Sequence, residues 1–299
     1  MDTRILRTFV TLARRGNFTA TADDLHLAQS TVTVHIRTLE KDLGTRLFDR
    51  LPRGAVLTDA GRLVLADAEA MLEAEERLRA TATGNRGGEI TGRVVIGAGE
   101  TLCAARLPGA VAALRRTHPG VEIHLHPTGT AEAVDGLRSG RLDLALLLEE
   151  QAEYADLTAE RIAAEPLLLV AAHHHPLTAG GSPAADWTEL AHEHFFLHEE
   201  GCSYSDRLAR HLLAVPGARP RLTRFGSIEA TRSCVVAGLG LTLLPRVTVE
   251  GAIREGSLAE VAGPRIPDVP VQLVRLRRRW RSPAVRAVAD ELVRQFSPS

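Results

Sequence analysis

Apolar residues recur at helical spacing in separate runs within the first sixty positions of the chain. They form one face of a first helix and one face of a third, and the residues concerned are Ile5, Phe9, Val10 and Leu12, then Val32, Ile36, Leu39 and Leu43. Between these runs, an alanine-rich helix starts at Thr19 or Thr21 and stops near Leu25. Gly16 and Asn17 break the first helix, since glycine readily takes a left-handed helix end. The pattern predicts three helices in quick succession.

The second and third of these helices have the spacing of a helix-turn-helix, in which the later helix enters the major groove of DNA. Polar residues at the start of the third helix suit base and phosphate contacts, and Gln29 can read an adenine edge with both amide atoms. A tight basic hairpin follows and is placed as a wing that meets the DNA backbone. The candidate DNA-binding residues are Gln29, Ser30, Thr31, Thr33, His35, Arg37, Arg50 and Arg53. For any single one of them, a helical core with polar residues facing water remains an alternative.

A long helix is predicted from Asp59 to about Ala82, with Thr58 as its cap. At ~1.5 Å per residue it spans about 35 Å. Its broken apolar stripe consists of Leu63, Ala66, Ala70, Leu72 and Leu78. This stripe either packs on the helix's own domain or pairs with a second chain, and we prefer the pairing. Glycines within residues 84–88 then mark a hinge.

From Thr91 onward, short apolar strands alternate with helices. The strands fall at 93–97, 121–126, 142–148, 167–170, 241–245 and 271–274. The helices fall at 102–117, 131–139, 205–213, 228–237 and 282–296. This alternation predicts a parallel sheet covered on both faces, and so an α/β fold.

Composition is that of a globular chain of two or more domains, with 299 residues, 44% hydrophobic, 24% charged and a net charge of −1. Residues 1–58 hold nine basic and six acidic side chains, a modest excess of three. Because phosphate contacts dominate DNA affinity, one copy should bind weakly and an oligomer is expected. No apolar run approaches the roughly 20 residues of a membrane span. The start leads into an amphipathic helix and not a signal peptide, so we expect a cytoplasmic protein without a membrane partner.

Catalytic and metal-binding signatures are sparse. The sequence has no Gly-x-Ser-x-Gly elbow, phosphate loop or dinucleotide fingerprint, so an enzyme is the weaker alternative and no cofactor is expected. The three consecutive histidines 173–175 alternate sides of an extended chain, which disfavours a metal site. Cys103, Cys202 and Cys234 are too few and too widely spaced for a disulfide framework or a zinc site, and we expect them to be packed in the interior.

The chain resembles the LysR-type transcriptional regulators over essentially its whole length. The N-terminal resemblance lies in Phe9, 16–22, Leu25, 29–33, Ile36, 39–40, 43–44, 47–48, Arg50, 57–58 and Gly61. The C-terminal resemblance lies in Gly97, 107–108, 118–119, Val121, 140–143, 175–177, 201–204, 225–229 and 237–245.

This resemblance implies a winged helix-turn-helix over 1–58, a linker and dimerisation helix with its hinge over 59–88, and an effector-binding domain over 89–299. The last would consist of two Rossmann-like α/β subdomains, shaped like a periplasmic solute-binding protein and joined by crossing strands. Subdomain I would cover about 91–163 and 270–299, and subdomain II about 164–269. The implied partners are double-stranded promoter DNA, a small-molecule effector, further copies in a homodimer or homotetramer, and RNA polymerase. An enzyme or solute receptor carrying a fused DNA-binding domain is the alternative.

An effector cleft between such subdomains collects the carboxyl ends of strands. The candidate effector-binding residues are Glu100, Thr101, Thr128, Thr130 and Glu149 at strand ends, and Ser203, Tyr204 and Ser227 from the opposite subdomain. Each is alternatively a helix cap or turn residue.

Three positions depart from the family pattern. Leu148 and Glu149 stand where members that bind aromatic or dicarboxylic acids often place a base, and two residues separate Tyr204 from Arg207. Val34 replaces a polar or basic residue of the recognition helix. The first two departures disfavour a carboxylate effector, and the third leaves the family's base contacts open. Glu100, Glu149 and Glu199 fall on segments expected to line or border the cleft, so we expect a neutral or weakly cationic effector.

Overall fold

The computed structural model describes residues 2–51, 54–82, 89–150, 154–179 and 184–296. The chain divides into two compact units, Met1–Glu89 and Ile90–Ser299, which are described separately. The predicted hinge at 84–88 lies outside the described residues, as does Arg53.

Helices and a hairpin make up the first unit, in the order helix, helix, helix, hairpin, helix. The elements are α1 (Thr3–Arg15), α2 (Phe18–Leu25), α3 (Gln29–Leu43), β1 (Phe48–Leu51), β2 (Gly54–Leu57) and α4 (Asp59–Ala82). Gly16 ends α1 with a φ of 64°, as predicted. The expectation that Thr19 or Thr21 begins α2 is wrong. Asn17 is the cap, because its side-chain oxygen accepts hydrogen bonds from the backbone N–H groups of Thr19 and Ala20.

The core of the first unit joins the three helices to the hairpin. Phe9 and Phe48 meet edge to face at 5.5 Å between ring centroids. Glu40 accepts hydrogen bonds from the backbone N–H groups of Leu47 and Phe48, which fixes the chain as it leaves α3. A Cβ at Gly61 would lie 2.2 Å from the carbonyl oxygen of Leu47, so only glycine allows α4 to approach this closely.

Helix α4 has two apolar faces. One packs on the unit's own core through the buried Ala68 and the half-buried Val64, Leu65 and Leu72. The spacing of the apolar residues had placed Leu72 in the stripe that faces a partner. Leu72 instead packs on the core of its own unit. The opposite face is uncovered, with Leu63 76% and Leu78 70% exposed. The remaining exposed apolar residues of that face are Ala66, Ala70, Met71 and Ala74.

Strands and helices alternate in the second unit. Its strands are β3 (Gly92–Ala98), β4 (Val121–Pro127), β5 (Leu144–Leu148), β6 (Leu157–Glu165), β7 (Leu167–Ala172), β8 (His194–Leu197), β9 (Arg221–Arg224), β10 (Thr242–Pro245), β11 (Leu258–Glu260) and β12 (Val269–Leu276). Its helices are α5 (Glu100–Ala105), α6 (Leu107–Thr117), α7 (Thr130–Arg138), α8 (Trp187–Leu190), α9 (Ser203–Leu213), α10 (Ile228–Val236), α11 (Arg246–Arg254) and α12 (Pro283–Phe296). The single helix expected over 102–117 is two helices, because Pro108 lacks the N–H that would continue the first.

The main sheet has the order β4-β3-β5-β12-β6. Strand β3 runs parallel to β4 and β5, but β12 is antiparallel to both β5 and β6. The expected all-parallel sheet is therefore mixed. Strand β6 was not predicted, since its middle is polar and only its two ends are buried. The short strands β8, β9 and β11 were also missed.

A second group of strands forms the other half of this unit. Strands β10, β7 and β11 make an antiparallel sheet, and β8 pairs with β9 in parallel. Separate hydrophobic clusters lie in the two halves, one around Val94, Leu144 and Val288 and one around Leu169 and Phe195. The chain passes between the halves at the β6–β7 and β11–β12 junctions.

Arg106, between α5 and α6, forms an ion pair with Glu165 at the end of β6. The guanidinium donates to both carboxylate oxygens at 2.9–3.1 Å, while the Glu165 side chain is only 1% exposed. Burial raises the pKa of Glu165, and Arg106 opposes that shift. The pair anchors the helices that follow β3 to the strand that leaves this half.

Replacing Arg106 by Met should lower the free energy of unfolding by about 3 kcal/mol at neutral pH, because the buried Glu165 carboxylate would lose its partner. The loss should shrink as the pH falls to about 4, since the carboxyl is then protonated and needs no cation. Denaturant melts across this range test it. Arg116→Met, at an exposed position of α6, is the control and should change stability by less than about 0.5 kcal/mol. An equal loss at every pH would show that lost packing, and not charge, is responsible.

Candidate functional site

The outer face of α3 presents the predicted DNA-reading residues. Gln29, Ser30 and Arg37 are exposed, and Thr31 and Thr33 are half-buried. The Thr33 hydroxyl donates to the carbonyl oxygen of Gln29 at 3.1 Å. The start of this helix has no side-chain cap, since its first flanking residue is an alanine. Gln29 and Ser30 thus keep their side chains available.

Two further residues of α3, His35 and Val34, have distinct surroundings. His35 Nδ1 lies 2.8 Å from the Thr8 hydroxyl, which itself donates to the carbonyl oxygen of Arg4, so the ring is engaged by α1. Val34, by contrast, is 57% exposed. An exposed apolar side chain on this face suits contact with a thymine methyl group.

Neither predicted arginine of the wing can be placed as a contact. Arg50 lies in β1, where it pairs with Ala55, but its side chain is outside the described part of the structure. Arg53 is outside it entirely. Their phosphate-binding roles stay predictions.

A cavity of about 290 Å³ in the second unit lies at the carboxyl ends of β3, β4 and β5. Seven of the eight predicted effector residues line it: Glu100, Thr101, Thr128, Thr130, Glu149, Ser203 and Tyr204. Ser227 does not, and its hydroxyl instead accepts a hydrogen bond from the Ala230 N–H at the start of α10. The strand ends therefore converge as their order along the sheet predicted.

Most hydroxyls of this cavity are occupied by protein acceptors. Thr130 donates to Glu149 at 2.7 Å, and Thr128 donates to Glu132 at 2.8 Å. Ser203 donates to the carbonyl oxygen of Leu148 at 2.5 Å. The threonines thus hold two carboxylates in place at the cavity wall.

Two buried polar atoms of the lining are left without a hydrogen bond among the described residues: Thr101 Oγ1 and His198 Nδ1. Thr101 is only 3% exposed. Burial raises the pKa of the neighbouring Tyr204 well above its usual value, so its phenol stays neutral. Unpaired buried polar atoms are costly, which makes both atoms candidates for ligand contacts. Sequence reasoning missed His198, since nothing local distinguishes it.

Contacts across the cavity join the two halves of the unit. Glu100 accepts a hydrogen bond from the backbone N–H of Ile228 at 2.9 Å and so caps α10 from 128 residues away. Arg207 pairs with Glu150 and donates to the carbonyl oxygen of Pro267 at 2.8 Å. These contacts join the two halves beside the cavity, and the partners of Arg207 lie outside its lining.

Carboxylates dominate the charge of the lining, where His198 Nε2 lies 3.9 Å from Glu199 Oε1. Its carboxylates are Glu100, Glu132, Glu149, Glu199 and Glu200, and no Arg or Lys is among its residues. Burial raises the pKa of Glu149; the Thr130 hydrogen bond opposes the shift and Asp206 adds to it. The cavity is electrostatically unfavourable for an anion.

The structure disfavours a reactive cysteine and a metal-binding site among the described residues. Burial raises the thiol pKa of Cys103 and of Cys202, which disfavours the reactive thiolate. Across the described ranges, no group of three or more His, Cys, Asp or Glu side chains is placed to hold a metal ion. His175 Nδ1 instead accepts the Leu177 N–H. In the same ranges no helix combines the length and apolar character that a membrane span needs.

Comparison with known proteins decides the family. Residues 3–62 match the bacterial regulatory helix-turn-helix proteins of the lysR family, and residues 87–297 match the LysR substrate binding domain. The chain belongs to the LysR family of transcriptional regulators. It is 34% identical to the uncharacterized HTH-type transcriptional regulator YwqM of Bacillus subtilis (strain 168), over 97% of this chain and 98% of that protein.

Solved structures share the LysR-family fold. A full-length OxyR variant from Pseudomonas aeruginosa superposes with a TM-score of 0.79 at 24% identity, covering 99% of this chain and 94% of that one. Full-length CbnR complexed with its target DNA superposes with a TM-score of 0.59 at 25% identity, covering 99% of this chain and 100% of that one. The predicted family, fold class and role as an effector-responsive DNA-binding regulator are confirmed.

Replacing Glu149 by Gln should stabilise the second unit at neutral pH. Because the pKa of Glu149 is raised in the folded protein, its ionisation costs stability as the pH rises through that value. We expect the melting temperature to rise by about 1–2 °C at pH 7, since solvent screens a half-exposed group. The gain should vanish below the ordinary carboxyl pKa of about 4.3.

Glu122→Gln is the matched control for thermal melts from pH 4 to 8. Glu122 is exposed, and a hydrogen bond with His124 lowers its pKa, so that variant should gain nothing. A Glu149→Gln variant that melts at or below the wild-type temperature at pH 7 would contradict the assignment.

Proposed function

We propose that this regulator binds a dyad-symmetric promoter site as a homo-oligomer, and that a small molecule in the cavity of the second unit changes its DNA contacts. It would act in the cytoplasm, with RNA polymerase as a further partner at the promoter. The proposal that a small molecule binds rests on one observation. Two polar atoms in the cavity, Thr101 Oγ1 and His198 Nδ1, are buried without a hydrogen bond among the described residues. A protein that folds with such atoms retains a site that a ligand can complete.

We assign recognition of the DNA base sequence to the exposed face of α3. Gln29 would contact an adenine edge, Val34 a thymine methyl group, and Arg37 a backbone phosphate. Thr31 and Thr33, which are half-buried, would contribute from the edge of this face. The predicted wing arginines Arg50 and Arg53 would add phosphate contacts. His35 would act indirectly, by holding α3 against Thr8.

Oligomerisation is assigned to the exposed apolar face of α4. Leu63 and Leu78 stand fifteen residues apart in sequence at its two ends, with small alanines between them. Small residues allow two helices to approach closely, and burial of the large ones would supply the driving force. The same face on a second chain makes a two-fold dimer, which matches a dyad-symmetric site.

Gln29→Ala should weaken binding to the cognate site by about 1–3 kcal/mol and relax base preference at one position. Arg37→Ala should weaken binding to all DNA alike and lower the salt slope by about one. Gel shifts at several salt concentrations, with cognate and scrambled duplexes, separate these effects. Asp42→Asn, at the exposed far end of α3, is the control and should retain base preference. Unchanged binding by Gln29→Ala would remove that residue from the reading face.

Leu63→Asp and Leu78→Asp should each give a folded chain that sediments as a smaller species, because a carboxylate would be buried against the partner. Leu72→Asp should instead lower the melting temperature of the first unit, since Leu72 packs on its own core. Sedimentation velocity and circular dichroism melts separate the two outcomes, and Glu122→Gln, at an exposed position of the second unit, serves as the control. A Leu63→Asp variant of wild-type size that still protects a two-fold site would exclude α4 as the interface.

A further inference from the structure

The amino-terminal end of α7 borders the cavity, and a carboxylate of the chain itself already lies there. The residue before the helix, Gly129, provides no side-chain cap. Glu199 Oε1 lies 3.1 Å from where a Cβ on Gly129 would stand. Helix amino-termini favour anions, so this is where an anionic ligand would otherwise be received. Glu199 competes for that position.

Glu149 lies on the other side of the same short segment, at Gly129 and Thr130. Its carboxylate accepts a hydrogen bond from Thr130, the residue after Gly129. Glu149 and Glu199 therefore come from different halves of the unit and flank one short segment. Arg207, which is near in sequence, is paired with Glu150 and does not line the cavity. Two carboxylates facing one cavity, without an Arg or Lys in its lining, attract a cation.

Independent evidence for a ligand comes from the unpaired atoms already described. Thr101 Oγ1 and His198 Nδ1 are both buried at the cavity and lack a hydrogen bond within the described residues. Both can accept an N–H: the hydroxyl through its lone pairs, and the ring nitrogen in the matching tautomer. A ligand with several N–H donors would satisfy them together with the carboxylates.

We propose that the effector is a small organic cation with an ammonium, amidinium or guanidinium group and no carboxylate. Its N–H donors would bind Glu149 and Glu199, with Thr101 and His198 accepting further bonds. Its carbon chain would lie against the apolar lining at Leu146–Leu148 and Ile228. This inference rests on the proposed function, in which the cavity holds the effector.

The cavity limits the size of this cation. At about 290 Å³ it lies at the small end of ligand sites and corresponds to the liquid volume of about ten water molecules. A diamine or a guanidino-amine of about that many non-hydrogen atoms fits.

Thermal unfolding of the full chain with matched probes tests the proposal. The probes are 1,4-diaminobutane and 4-guanidinobutylamine as cations, 1,4-butanediol as the neutral isostere, and succinate as the anion, each at 10 mM and constant ionic strength. We expect at least one cation to raise the melting temperature by about 3–6 °C, as for a ligand at ten times its dissociation constant. The diol and succinate should raise the melting temperature by less than about 1 °C.

Variants locate the bound cation. Glu149→Gln and Glu199→Gln should each weaken cation binding at least about tenfold, since each removes a charge-assisted hydrogen bond. Glu122→Gln, on an exposed edge away from the cavity lining, should bind the cation as wild type does. Titration calorimetry with the stabilising amine gives these ratios directly.

Three results would overturn the proposal. Neither cation stabilises the chain; succinate or the diol stabilises it more than the amines do; or Glu149→Gln and Glu199→Gln both retain full cation binding. Promoter binding is measured on the same preparation by gel shift. If promoter binding is retained and any of these results is obtained, only the proposal that the effector is a cation is refuted. If the wild-type protein binds no promoter DNA, the proposed function itself is refuted.

Discussion

The backbone pairing of two crossing strands is the constraint on which the cavity depends. Strands β6 and β12 lie side by side in the main sheet, and each continues into the other half of the second unit. Glu149 donates its backbone N–H to the carbonyl oxygen of Pro270, and Gln272 donates to the Glu149 carbonyl oxygen. The ion pair of Arg106 with Glu165 fixes the end of β6. The cavity wall is thus built onto the strands that join the halves.

Carboxylates give the cavity its character, and each is held by a partner within the chain. Threonine hydroxyls donate to Glu132 and Glu149, and a backbone N–H of α10 donates to Glu100. These donors are neutral, unlike the arginine that pairs with Glu165, and the groups near Glu132 and Glu199 that can carry positive charge are histidines, at 3.7 and 3.9 Å. A bound cation would supply what the chain does not, while closing contacts such as that of Glu100 could reset the spacing of the halves.

Helix α4 connects folding of the first unit with assembly. Its inner face, around Ala68 and Leu72, completes the core formed by the first helices and the hairpin. Its outer face has no such role within the unit and remains exposed at Leu63 and Leu78. A helix apolar on both sides is stable in water only if the second face is also covered. The proposed reading face of α3 and the proposed pairing face of α4 thus belong to one small folded unit.

Local sequence determined the helices of the first unit, several longer elements of the second and most strand-end residues of the cavity, because these depend on short-range periodicity and on where strands end. The bounds of α4 and the approach of Thr101, Thr130 and Glu149 are examples. Local sequence did not predict α8, α11 or the short strands. Only the tertiary structure decided which side chains were already engaged. It turned His35 toward Thr8, placed Leu72 in its own core, made the sheet mixed, and brought in His198. Those outcomes depend on contacts between residues far apart in sequence, which neither spacing nor residue type encodes.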